Sequence, residues 1–122
     1  MAWILTGAAW GFLGVGLGAF GAHGLRTSAS EQAMGWWQTA TLYHLVHALA
    51  LVGVGLVHLH GPRVAPAGWA FLIGSLVFSG TLYAMALGAP RWLGAVTPLG
   101  GLGLMTGWLL LGWTAWSQIA RG

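Results

Sequence analysis

The sequence contains no cysteine and a single acidic residue, Glu31, in 122 residues. Without cysteine there is no disulfide, no thiolate metal site and no cysteine nucleophile. With one carboxylate there is neither an acid pair nor a Ser-His-acid set, so no catalytic constellation is present and no enzyme is expected. Charge of either sign is scarce. Charged residues make up 4% of the chain, against roughly 25% in soluble domains. Five charged side chains cannot cover a water-exposed surface, so lipid is the expected solvent. The formal charge of +3 and the pI near 10.8 would suit a nucleic-acid binder. Arg26, Arg63, Arg91 and Arg121 stand singly, however, and make no basic patch. They are expected at the membrane boundary, and no nucleic-acid partner is expected.

What the chain has is apolar length. Hydrophobic residues form 57% of it, and roughly 20 of them in a helix cross the hydrocarbon core. Four stretches qualify: about Ala2 to Ala22, Trp36 to His60, Ala67 to Ala89 and Ala95 to Ser117. The first has no Lys or Arg before it and is about twice as long as a signal-peptide core, so it reads as a retained helix. The connections hold nearly all the charge and are short, which implies antiparallel neighbours. The expected fold is one all-α domain over residues 1–122, an integral membrane antiparallel four-helix bundle.

Local chemistry marks the ends. Ser28 to Glu31 has capping-box spacing, so a helix is expected to begin near Ala29 and run along the interface before the second span turns inward. Thr97 and Pro98 read as N-cap and first helical residue of the fourth span. Trp3, Trp36, Trp37, Trp69, Trp92, Trp113 and Trp116 fall near span boundaries as an aromatic belt, whereas Trp10 and Trp108 lie deeper and are expected inside. An even number of spans puts both termini on one side. Arg63 and Arg121 lie on that side, Arg26 and Arg91 on the other. The positive-inside rule is therefore tied, and only the N-terminal amine favours cytoplasmic termini. The expected location is the cytoplasmic (inner) membrane of a bacterium.

Two intramembrane patterns stand out. Gly7, Gly11, Gly14, Gly18 and Gly21 lay a bare stripe down the first span, with a shorter echo in Gly100, Gly103 and Gly107. Such glycines let a second backbone approach closely, and the first span is expected to make the closest helix contact through Gly11, Gly14 and Gly18. A ligand groove or a hinge is the other reading. In the second span, Tyr43, His44 and His47 share a face with His58 near its far end, and Ser75, Ser79 and Tyr83 recur every fourth residue in the third. Both rows are costly against lipid and are expected to face each other. His23, at the end of the first span, is placed to approach Gln38 or His44. Hydrogen bonding alone, proton relay, quinone binding, and metal or haem ligation with His23 as a third ligand all remain open for these histidines. No cofactor is identified by the sequence.

These motifs resemble a known family. Gly18-Ala-Phe-Gly-Ala-His-Gly-Leu25, Gln38-Thr39 with Tyr43-His44 and His47-Ala-Leu-Ala50, Phe78-Ser-Gly-Thr-Leu-Tyr83, and Leu93-Gly-Ala-Val-Thr-Pro-Leu-Gly-Gly101 followed by Gly107-Trp108 are similar, in order, to the family of domain of unknown function 423, which includes transmembrane protein 256. The resemblance implies a small multi-helix membrane protein and places His23, Gln38, Tyr43, His44, His47, Ser79 and Tyr83 within family motifs. It carries over no catalytic residue. The functional expectation is a non-enzymatic packing or accessory subunit in the lipid bilayer, as a homo-oligomer or part of a larger complex. The alternative is a quinone-, haem- or metal-binding or proton-relay protein using the histidine face. An oligomeric transporter is weaker, because one protomer has few polar residues for an aqueous path.

Overall fold

The computed structural model describes residues 1–122. It holds four long helices: α1 Ala2–His23, α2 Glu31–His58, α3 Ala65–Ala86 and α4 Thr97–Arg121. Short 3-10 turns at Leu25–Thr27 and Arg91–Ala95 lie in two of the connections, and there is no strand. All four helices are long and apolar enough to cross a membrane. The chain is thus an all-α membrane bundle.

Helix α2 differs from the expected interface helix followed by a span. It runs unbroken from Glu31 to His58. No proline interrupts it, and Ala33, Trp37, Ala40, His44, His47, Leu51 and Val54 continue one buried face at helical spacing. Its cap is Ser30, whose side chain accepts the Ala33 N–H at 3.1 Å. Ser28 is occupied in the preceding turn, where its N–H donates to the Leu25 carbonyl at 3.1 Å. Helix α3 stops at Ala86, short of Ala89. Gly88 takes φ +105°, and the Ala89 N–H closes back on the Ala84 carbonyl at 3.0 Å, a left-handed cap that turns the chain out of the helix. Thr97 is not an N-cap. The Arg91–Ala95 turn leads straight into α4, and the Thr97 hydroxyl lies 2.6 Å from that of Thr81. Pro98 still sits in the first turn, where its missing N–H is harmless.

Helices α2 and α3 form the middle of the bundle. Helix α1 packs on α2 and α4 on α3. Each outer helix also reaches diagonally, α1 through Trp10 to Ser75 and α4 through Trp108 to His47. The apolar core lies among Leu51, Val54, Val64, Ala67, Phe71 and Leu104.

Glycine makes both outer seams close. On α1, a Cβ at Gly7 would stand 2.8 Å from the Ala48 carbonyl oxygen, and one at Gly14 would stand 2.6 Å from Leu45 Cδ2. One at Gly21 would enter the Trp37 indole. Gly11 and Gly18 are looser: a Cβ there would meet Ala48 at 3.7 Å and Thr41 at 3.1 Å. The near points on α1 are therefore Gly7, Gly14 and Gly21, one per heptad, rather than Gly11, Gly14 and Gly18. The α3–α4 seam is equally intimate. Gly74 faces Gly100 and Gly103, and Gly107 lies under the Phe71 ring. Gly74 carries no glycine stripe in the sequence, because the residues three and four positions away are Ala70, Phe71, Val77 and Phe78.

Candidate intramembrane polar site

Helix α2 is 28 residues long, which is about 42 Å at helical rise. His44 and His47 lie near its middle and are buried, 1% and 4% exposed. Hydrocarbon offers no hydrogen bonds, so each ring must find partners within the protein.

His44 points between α1 and α3. Its Nε2 lies 2.8 Å from the Trp10 carbonyl oxygen. That oxygen can only accept, so Nε2 carries a hydrogen and donates. Gly14, one turn beyond Trp10, makes room for the ring: a Cβ there would stand 3.3 Å from His44 Cδ2. The other nitrogen, Nδ1, lies 3.0 Å from the Tyr83 hydroxyl. The Tyr83 oxygen is also 3.2 Å from Thr41 Oγ1, which donates to the Trp37 carbonyl at 2.9 Å. The Trp10 indole covers His44, with ring centroids 4.1 Å apart. Its own N–H donates to Ser75 Oγ at 2.7 Å.

His47 faces the other way, toward α4. Its Nδ1 donates to the Tyr43 carbonyl at 2.7 Å, one turn back. Its Nε2 accepts the indole N–H of Trp108 at 3.0 Å. An indole nitrogen only donates, so this pair fixes His47 as the neutral Nδ1–H tautomer.

The hydroxyl row of α3 serves four different partners. Ser75 receives Trp10, Ser79 donates to the Ala40 carbonyl at 2.8 Å, and Tyr83 meets His44 and Thr41. Of the three, only Tyr83 hydrogen-bonds a histidine. The Tyr43 side chain is partly exposed and lies on Phe78, with ring centroids 4.4 Å apart; its carbonyl, not its hydroxyl, serves His47. Gln38 is exposed beside Arg26, lining a cleft of about 210 Å³ with Gly18, Gly21, Trp37 and Thr41. His23 is exposed at the end of α1. It sits about 20 Å along α1 from Trp10, the residue that meets His44, so it does not join the histidine site. His58 and His60 lie at the other end of α2 and beyond it.

Ligand chemistry is constrained by this wiring. No three His, Cys, Asp or Glu side chains converge to hold a metal. Every ring nitrogen of His44 and His47 already has a partner. Ligation to iron or zinc needs a free imidazole lone pair, which would require Tyr83 or Trp108 to let go. A quinone carbonyl needs a free donor, and the buried donors are likewise engaged. Trp10 and Trp108, both expected inside, complete the site; Trp10 is half-buried, whereas Trp108 is 47% exposed and reaches His47 from the bundle surface. Thr41 belongs to neither of the polar rows legible in the sequence, although its spacing of four from Trp37 and three from His44 puts it on the same face.

A family profile described as "Protein of unknown function (DUF423)" matches residues 17–101. The chain belongs to that family. A UPF0382 membrane protein of Staphylococcus epidermidis is 44% identical over 109 residues, covering 88% of this chain and 89% of the relative. The UPF0382 membrane protein YwdK of Bacillus subtilis is 40% identical over 111 residues, covering 88% of this chain and 90% of the relative. No solved structure matches. The DUF423 match takes in His44, His47, Thr41 and Tyr83 and leaves Trp10 and Trp108, the two indoles at the histidines, on either side of it. The family is of unknown function, so these residues have no inherited role, and their chemistry rests on their geometry.

Proposed function

We propose that this DUF423 protein is a non-enzymatic subunit of a membrane assembly, built from its own copies or from a larger complex, in the bacterial cytoplasmic membrane with both termini in the cytoplasm. One observation carries the reading: no buried side-chain nitrogen or oxygen lacks a hydrogen-bond partner within the chain. The polar interior is complete in itself and leaves no buried side-chain donor or acceptor unpaired for a substrate. The outer surface supports an assembly role. Gly16, Gly53, Gly80 and Gly112 face outward with nothing within 4 Å of an added Cβ. Each costs helix propensity of about 1 kcal/mol relative to alanine, and nothing inside the chain uses the space. Close approach by a neighbouring helix would use it.

The test is extraction in a mild detergent, followed by mass from light scattering, an absorption spectrum and metal analysis. The reading expects a particle of more than one chain with no visible band and no stoichiometric metal. A single chain carrying a Soret band or a bound metal would overturn it in favour of a cofactor protein.

A further inference from the structure

We propose that His44 is a proton-binding site inside the membrane, reached from the Arg26–Gln38 cleft through Thr41 and Tyr83, and that His47 is its non-titrating counterpart. This goes beyond the subunit reading and does not depend on it.

The hydrogen-bond directions carry the inference. Nδ1 of His44, the Tyr83 oxygen and Thr41 Oγ1 form a chain with links of 3.0 and 3.2 Å. Each hydroxyl has one hydrogen to place. With His44 neutral, Nε2–H donates to the Trp10 carbonyl and Nδ1 must accept, so the Tyr83 hydrogen points at Nδ1. Thr41 can then donate to the Tyr83 oxygen. With His44 protonated on both nitrogens, Nδ1–H donates to Tyr83, Tyr83 donates to Thr41, and Thr41 donates to the Trp37 carbonyl at 2.9 Å. Both states satisfy every group in the chain, and they differ by the one added proton on Nδ1 and the turning of two hydroxyl hydrogens.

The transfer balances. A hydronium in the cleft gives a proton to Thr41 Oγ1 and leaves as water. Thr41 passes its original hydrogen to the Tyr83 oxygen, and Tyr83 passes its own to Nδ1. Each hydroxyl gains one O–H bond and loses one, and His44 gains one N–H bond and one positive charge. Thr41 is the entry point because it lines the cleft with Arg26 and Gln38. The charge is met by the Trp10 indole face at a centroid distance of 4.1 Å, a contact that favours a cation.

The surroundings contain few other charges. Helix α3 offers Tyr83 as its titratable group, α1 presents Trp10, which does not titrate, and α2 itself carries Tyr43 and His47. Arg26 stands at the cleft, and the only acidic side chain, Glu31, lies at the start of α2. His47 cannot follow His44. A proton on its Nε2 would face the Trp108 N–H at 3.0 Å, donor against donor.

The test is nitrogen NMR of imidazole-labelled protein in lipid nanodiscs across pH. On acidification, His44 Nδ1 should move from the unprotonated to the protonated nitrogen range, while His47 keeps one protonated and one unprotonated nitrogen. Tyr83→Phe removes the acceptor of Nδ1–H and should abolish the His44 change over the same range. Thr41→Val keeps Tyr83 and should weaken that change, which preserves the test if Tyr83→Phe fails to fold. A His44 that stays singly protonated throughout, a His47 that titrates alongside it, or titration unaltered in a folded Tyr83→Phe protein would each overturn the proposal.

Discussion

Gly74 of α3 and Gly100 of α4 meet backbone to backbone: a Cβ on Gly74 would stand 3.0 Å from the Gly100 carbonyl oxygen, and one on Gly100 would stand 2.9 Å from that of Gly74. No side chain can bend aside there, so relief requires the helices to part. Gly100→Ala is expected to lower stability by about 1–3 kcal/mol, read from unfolding midpoints in detergent. Gly16→Ala, which meets nothing within 4 Å, is expected to leave the monomer unchanged or gain up to about 1 kcal/mol. Equal losses at both positions would show that the seam is not the cause.

The His47–Trp108 pair joins α2 to α4 across the bundle at 3.0 Å. A double-mutant cycle of His47→Gln and Trp108→Phe is expected to give a coupling of about 0.6 kcal/mol, and no more than about 1.7. Both single variants should fold and assemble. Zero coupling would mean that the indole and the imidazole do not meet in the folded protein.

Trp37 is buried against α1, where its indole N–H donates to the Leu17 carbonyl at 2.7 Å. Its ring lies over Gly21 and also packs on Tyr83, with centroids 4.6 Å apart. Trp37→Ala should cost about 3–5 kcal/mol by analogy with emptied soluble cores. Thermal unfolding in detergent measures the loss, and a shift of less than about 1 kcal/mol would place this ring at a boundary rather than in a core.

Ser30 is the one side-chain cap of the four long helices. Ser30→Ala is expected to cost about 1 kcal/mol, whereas Ser28→Ala should cost less, because Ser28 Oγ makes only a 3.5 Å contact with the Leu25 carbonyl. Paired denaturation curves of the two variants check the order, and a reversed order would return the cap to Ser28.

Orientation is open to a direct measurement. The termini side carries Arg63 and Arg121, and the opposite side Arg26 and Arg91. Arg91 is partly satisfied there by Gln32 at 2.6 Å and by the Trp36 ring. A reporter active only outside the cytoplasm, fused after Gly122, should remain silent. Activity would put both termini outside.

The solvent and the number of spans followed from sequence, because a chain with five charged side chains and four apolar runs has few ways to satisfy its backbone except as helices in lipid. The glycine heptads likewise announced a close helix surface, since a missing Cβ has the same meaning wherever the helix sits. The two histidines were legible as inward-facing because helical period relates residues on one helix to each other. That period says nothing about the depth at which a second helix meets them, or which way a ring turns. His44 lies opposite Trp10 because Gly14 clears a path to that carbonyl, and His47 lies opposite Trp108 because α4 crosses α3 on its own glycines. Those pairings, 34 and 61 residues apart, exist only once both seams have closed. Tertiary structure therefore decided which nitrogen donates, which accepts, and which histidine has somewhere to put a second proton.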